Sequence, residues 1–269
     1  MDYGICLQSV VALRAEPSHR SEMVSQILFG ELFRILSVDK EWFEVELAYD
    51  DYRGWLSINQ ANLLTESEFL SLLNSETAVS HDLVQLISNE TNQLILPLIA
   101  GSSLPGIRNK EFSIHGERFF FDGEMSISSP FEAGQTLASE QSARQKLVAD
   151  AKLFLYSPYL WGGRTPFGID CSGFVQMVYK LQNLKLLRDA TQQATQGEAL
   201  NFLEESQPGD LVFFDNEEGQ IIHVGILINT STIIHSSGKV RIDAIDHQGI
   251  YNAEEQRYTH TLRVIKRMI

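Results

Sequence analysis

The sequence predicts an α+β chain: small β-barrels in the N-terminal half, then a C-terminal domain of two helices followed by an antiparallel meander. Three observations carry that expectation. Short β-branched and aromatic runs broken by Gly, Pro and Asp fill residues 1–64. Thr65 with Glu68 three residues later forms a capping-box pattern ahead of an apolar stripe. Beyond residue 136, two amphipathic segments flank a glycine-rich corner and three strand-like runs come after it.

In order, "SVVALRAEP", "VSQILFGELFRILSVD", "WFEVELAY" and "YRGWLSI" read as strands, making 1–64 one barrel. "TESEFLSLL" opens a helix, and "NSETAVSHDLVQLI" restarts after a polar cluster, so 65–88 reads as a helical connector of one or two helices. The β texture returns in "QLILPLIAGSSLPGI" and "EFSIHGERFFFDG", and 89–135 reads as a second, less regular barrel. A polar stretch at Glu132–Thr136 precedes "ASEQSARQKLVADAKLFLY", where Leu147, Val148 and Ala151 suit one helix face. "CSGFVQMVYKLQ" repeats that pattern, and "PGD" introduces "LVFF", "IIHVGILI" and "STIIHSS". Residues 136–269 therefore read as one α+β domain.

The totals bound the function. A length of 269 residues suggests about two domains. Cys6 and Cys171 lie far apart without C-x-x-C spacing, which argues against a disulfide framework or a structural zinc site. A formal charge of −14 repels nucleic acid and anionic membrane, and neither is expected as a partner. No run approaches the roughly 18 apolar residues of a membrane span. The start carries no basic segment followed by an apolar one, which with the unpaired thiols points to the cytoplasm.

The chemistry concentrates in "YLWGGRTPFGIDCSGF", Tyr159 to Phe174. Asp170 is a good N-cap, which puts Cys171 in the first turn of a helix. Partial positive charge and unsatisfied N–H groups there favour a thiolate, so the thiol pKa is expected to fall from about 8.5. The same N–H groups suit a tetrahedral oxyanion. Free cysteine is also commonly a small buried hydrophobe, and position alone leaves the two readings level.

A thiolate nucleophile wants an imidazole beside it. Of seven histidines, only His223 and His235 interrupt apolar strands. His223 shares a strand face with Gly225, which marks a wall that something approaches closely. If "NTS" (229–231) is a three-residue loop, Ile228 pairs with Thr232 and His235 lies opposite Gly225, diagonal to His223 at about 7–8 Å. A two-residue loop turns His235 to the other face.

"PYLWGGRTPFGIDCSGFV", "PGDLVFF", "HVGILI" and "IIHSSG" together resemble the successive motifs of the NlpC-type cysteine peptidases, which have a papain-like fold. The resemblance covers about residues 137–269. It implies Cys171 as nucleophile, His223 as general base, His235 as the orienting third member, and Tyr159 as an oxyanion donor. "VVALRAEPSHRSEMVSQILFGE", "EWFEVEL" and "YRGWL" look like a bacterial SH3-like module. Two barrels ahead of such a peptidase resemble the γ-D-glutamyl-L-diamino acid endopeptidases of murein recycling, which act on peptides with a free N-terminal L-alanine. The implied amine-binding residues are Tyr52, Asp170 and, less directly matched, Glu31, with Ser172 as the family's adjacent serine. Arg188 and Arg164 are candidate cations for the anionic peptide, or simply solvated surface. The expected activity is cysteine endopeptidase action on murein-derived peptides with no metal or organic cofactor. Rival readings are an amidase or acyl-transfer enzyme of the same fold, and a non-catalytic wall-peptide binding protein.

Overall fold

Alternation builds the first sheet. In Val10–Arg14 the side chains of Val11 and Leu13 are buried while their neighbours are not. Six further strands join it, in the order Met23–Leu28, Val10–Arg14, Arg53–Ser57, Trp42–Leu47, Leu32–Asp39, Asp2–Ile5, Asn62–Leu64, each neighbour antiparallel. This is a computed structural model, and it describes residues 2–90, 95–127 and 137–269. The chain divides into two compact units, Met1–Ser128 and Ser129–Ile269, which are taken in turn.

Within the first unit, Thr65 caps the helix Glu66–Leu73 as expected: its hydroxyl accepts from the Glu68 N–H, and the Glu68 carboxylate accepts from the Thr65 N–H. The helix then stops. The sequence expectation of a helical connector through residue 88 is corrected here, because Thr77–Ser80 and Val84–Asn89 are strands. The first pairs with Ser103–Pro105 and Met125–Ser126, the second with Ile95–Ile99 and Glu117–Phe120. The polar cluster at Asn74–Glu76 is a break between helix and strand, not between two helices. β-Branched Thr77, Val79 and Ile87 fit a pleated surface once those partners are present.

The rest of this unit forms a four-stranded and a three-stranded antiparallel sheet among the described residues. Their core is not separate from the first sheet: Ile5, Phe29, Leu32 and Leu64 pack in one cluster with Phe69, Leu98, Leu104, Phe112 and Phe119. At the seam Gly30 has φ +77°, and a Cβ there would lie 1.8 Å from the Ser103 carbonyl oxygen. Only glycine fits so close an approach. The polar stretch at Glu132–Thr136, and with it the expected boundary between 89–135 and 136–269, lies outside the described residues.

In the second unit, helix Leu137–Leu153 buries Leu147, Val148 and Ala151, and Cys171–Leu181 is buried along its whole length. Both helices lie against strand Ile221–Asn229. The antiparallel sheet runs Glu198–Leu200, Arg257–Arg267, Leu211–Asp215, Ile221–Asn229, Thr232–Ser237, Lys239–Asp246, Gly249–Asn252. Gly249–Asn252 also pairs with Arg257–Arg267, so the sheet closes on itself. Inside the curl sit Val212, Phe214, Leu227, Ile233, Ile245, Ile250 and Ile265.

The "PGD" turn is held by charge. Asp210 is fully buried and accepts from Arg144 at 3.2 Å and from Arg267 at 2.8 Å. Removing one partner of a buried ion pair strands the other, at about 3–5 kcal/mol. Asp210→Ala is expected to lower the unfolding free energy by about that amount, read as a shift of the urea midpoint. An unchanged midpoint would show that the cluster is neutral to stability.

Candidate active site

The corner before the second helix is built from backbone packed on backbone. Gly162 sits at φ +75°. A Cβ on Gly163 would lie 2.3 Å from the Gly168 carbonyl oxygen, and one on Gly173 would lie 2.3 Å from that of Gly163. The glycines thus bring the loop against the first turn of the helix. Gly168–Ile169 pairs with Arg164–Thr165, and Ser236 donates to the Ile169 carbonyl at 2.8 Å, tying the corner to the sheet.

Asp170 caps the helix, accepting from the Gly173 N–H at 2.6 Å, and Cys171 is its first residue. The Asp170 carboxylate also accepts from the Gly162 N–H, the Ser172 hydroxyl and two nitrogens of Arg188, the closest at 2.6 Å. Five donors exceed the roughly four lone-pair sites of a carboxylate. Arg188 is buried and also donates to Ser172 Oγ at 2.9 Å. The solvated-surface alternative for Arg188 is therefore corrected: it is a buried partner of Asp170 and Ser172. Ser172 is buried in the same cluster, and Arg164 is fully buried.

Cys171 is 8% exposed, and both it and Cys6 are free of disulfides. Burial, and next the Asp170 carboxylate, push its thiol up to about 12, while the Val224 and Ser172 backbone N–H groups and Arg188 act the other way. The expected fall in thiol pKa is therefore corrected: the helix N-terminus is outweighed by desolvation. The Val224 contact sets the sulfur against the strand that carries His223.

His223, His235 and His260 are clustered. His223 Nε2 lies 2.8 Å from His235 Nδ1, and both rings are buried. The loop between their strands has two residues, since Asn229 pairs with Thr232. A bulge at Ile228 restores the phase, so Gly225 still faces His235. A Cβ on Gly225 would meet His235 Cβ at 2.9 Å and Ile233 Cδ1 at 2.8 Å, so what approaches that glycine is the neighbouring strand.

Three residues escaped sequence reading. His235 Nε2 lies 2.9 Å from the carboxylate of Asp243, which in turn pairs with Arg241. His260, on Arg257–Arg267, stacks on His223 with ring centroids 4.1 Å apart. Burial above all, then the neighbouring His235 and His260, hold His223 well below the ordinary histidine value. Burial likewise takes His260 down to about 4. Cys171 and His223 therefore rest as a neutral thiol and a neutral imidazole.

Tyr159 is 37% exposed and is anchored by its backbone N–H on the Gly238 carbonyl. Burial, and next the nearby Cys171 and Asp170, raise its phenol to about 12, so it stays a donor. Tyr52 and Glu31 belong to the first unit. Tyr52 is half-buried against the first sheet's core, and Glu31 is buried in a turn, accepting from the Leu28 N–H at 2.9 Å. Among the described residues, no group of three or more His, Cys, Asp or Glu is arranged to hold a metal ion. Nor is any helix among them long and apolar enough to cross a membrane.

A buried thiol at a helix N-terminus, imidazoles on neighbouring strands and a phenol donor are the kinds of group from which a nucleophile, a base and an oxyanion site can be built. Residues 156–262 match the NlpC/P60 family, and residues 13–60 match the bacterial dipeptidyl-peptidase Sh3 domain. A γ-D-glutamyl-L-lysine dipeptidyl-peptidase of Bacillus cereus is 40% identical over 246 residues, covering 81% of this chain and 68% of that one. Its counterpart in Bacillus subtilis is 28% identical, covering 87% and 74%. The crystal structure of an NlpC/P60 family protein from Bacillus cereus superimposes with a TM-score of 0.80 over 99% of both chains, at 20% identity. The chain belongs to the NlpC/P60 family of cysteine peptidases, with an SH3-like domain ahead of the peptidase fold.

Proposed function

We propose that this chain hydrolyses the γ-D-glutamyl–L-diamino acid bond of short murein peptides that carry a free N-terminal L-alanine. The observation that carries the reading is the Cys171 helix start set against the His223 strand, in a chain 40% identical to a γ-D-glutamyl-L-lysine dipeptidyl-peptidase. His223 takes the Cys171 proton as the sulfur attacks the γ-carbonyl. The tetrahedral oxyanion is met by the Cys171 N–H and the Tyr159 hydroxyl. His223 then returns the proton to the leaving amine of the diamino acid, giving a thioester. Water, deprotonated by His223, attacks the thioester, releases the L-alanyl-D-glutamate acid and restores the thiol. General acid–base help of this kind contributes roughly 10²–10⁴ in rate.

The free-amine requirement is proposed from the relatives' activity: a dipeptidyl-peptidase releases dipeptides from the N-terminal end of its substrate, which carries an ammonium. A site built around that charge rejects a blocked amine, because its polar groups are then left without a partner. A role in recycling wall peptides inside the cell fits two free thiols, which persist in a reducing compartment.

The test is a peptide panel, L-Ala-γ-D-Glu-L-Lys and its diaminopimelate analogue, each free and N-acetylated, followed by mass spectrometry. Cleavage between glutamate and the diamino acid in the free forms alone is the expected result. Equal cleavage of the acetylated forms overturns the amine requirement. Transfer of the acyl group to an added amine in place of water would mark an acyl-transfer enzyme.

A further inference from the structure

We propose that Asp243 is a positioning residue that fixes the tautomer of His235, and through it leaves His223 Nδ1 as the bare nitrogen that serves as base. The inference rests on the peptidase reading above and adds to it a residue outside the nucleophile and the two histidines.

The relay crosses three adjacent strands of one sheet. His223 stands on Ile221–Asn229, His235 on Thr232–Ser237 and Asp243 on Lys239–Asp246. Gly225 faces His235 and His235 faces Arg241, so each relay member lies two residues from the direct pairing position, on the same face. The contacts follow that diagonal, 2.8 Å from His223 Nε2 to His235 Nδ1 and 2.9 Å from His235 Nε2 to Asp243 Oδ2.

Proton placement then follows from donor and acceptor rules. An ionised carboxylate only accepts, so His235 Nε2 must carry a hydrogen. A neutral His235 therefore presents a lone pair at Nδ1. His223 Nε2 must donate to it, and the remaining nitrogen of His223, Nδ1, has no hydrogen. Without Asp243 the opposite tautomer of both rings satisfies the same 2.8 Å contact, and it places a hydrogen on the atom that should receive the thiol proton.

The surroundings keep both conditions in force. Arg241 sets its Nε 2.7 Å from Asp243 Oδ2 and donates through a terminal nitrogen to Oδ1 at 2.9 Å. Arg241 is itself held by Glu254 and Asn252. Burial pushes the Asp243 carboxyl up, but the hydrogen bonds and charges of His235 and Arg241 outweigh it, and the carboxyl stays below its ordinary value. Burial lowers His235 more than the Asp243 carboxylate raises it, so His235 is neutral at pH 7. His260 also faces the pair, its ring centroid 5.7 Å from that of His235.

Asp243→Asn tests this with nearly unchanged shape, because an asparagine amide donates to His235 Nε2 and selects the wrong tautomer. On wild type and variant, kcat and KM are measured with L-Ala-γ-D-Glu-L-Lys, and ¹⁵N spectra of histidine-labelled protein report which ring nitrogens carry hydrogen. The expected result is a kcat lower by about 10²–10⁴-fold with KM little changed, as for the aspartate of a serine-protease triad. Asp243→Glu, which keeps the acceptor, recovers part of the loss. Wild-type spectra should show hydrogen on Nε2 of both His223 and His235. A variant kcat within about threefold of wild type overturns the proposal, since the roughly 10²–10⁴-fold loss would be absent. A wild-type His235 carrying its hydrogen on Nδ1 overturns it without any variant, which covers the case of a variant that fails to fold. Absence of cleavage by the wild type would instead count against the peptidase reading, and the spectra would still decide the tautomer.

Discussion

Cys171→Ala is expected to lower kcat by about 10⁶-fold, the loss seen when the nucleophile of a triad is removed. Nothing else in the cluster replaces the sulfur. Ser172 is tied to Asp170 and Arg188, and Cys6 belongs to the first unit. Alanine keeps the helix: it has the best helix propensity, and the Asp170 cap is made to Gly173, so the fold survives the change. The measurement is product formation from L-Ala-γ-D-Glu-L-Lys by mass spectrometry, with substrate binding to the variant followed by calorimetry. Turnover within about 10³-fold of wild type would place the nucleophile elsewhere, given the roughly 10⁶-fold loss expected.

His223→Ala should cost about 10⁴-fold or more, because base and nucleophile act as one unit. It should also change the shape of the pH profile. The base works only when neutral, so kcat/KM falls on the acid side as His223 protonates. Burial, His235 and His260 hold that group well below 6.5, which places the acid limb below 6.5. With the thiol at about 12, no alkaline limb below that comes from Cys171. A fall near pH 8 would report the substrate's own α-amino group, whose ordinary value is about 7.7–8.0. The variant should lose the His223 limb along with its rate. A wild-type acid limb at or above 6.5 would show that His223 is not the titrating base.

Local grammar carried much of this far. Asp170 before Cys171 announced the helix cap, and Thr65 with Glu68 announced the one before it; both are contacts within three residues. Quantities set by the surroundings escaped. The helix end told of a lowered thiol pKa, yet burial of the sulfur is the largest influence on it, and no neighbouring residue in the sequence announces that burial. Arg188 looked like a surface cation because nothing nearby in sequence reveals that Asp170 receives it. His235 was placed on the right face through a loop that is one residue shorter than expected, with a bulge at Ile228 making up the difference. Asp243 was within reach of the same counting. Ser237 pairs with Lys239, so His235 must face Arg241 and have Asp243 as its diagonal neighbour. The strands at Thr77–Ser80 and Val84–Asn89 were not: the first pairs with the distant Ser103–Pro105 and Met125–Ser126, and the second needs Glu117–Phe120 as well as the adjacent Ile95–Ile99.

The Gly30 seam bears on how the N-terminal half could have been assembled. Phe29 and Leu32 of the first sheet are lined by Phe112, Phe119 and Leu104 from the other two, and Ser103 donates its N–H to the Phe29 carbonyl at 2.8 Å. Such a half is not two beads on a string. The segment matched as an Sh3 domain, residues 13–60, cannot be exchanged between proteins as a self-contained cassette without leaving those phenylalanines facing water.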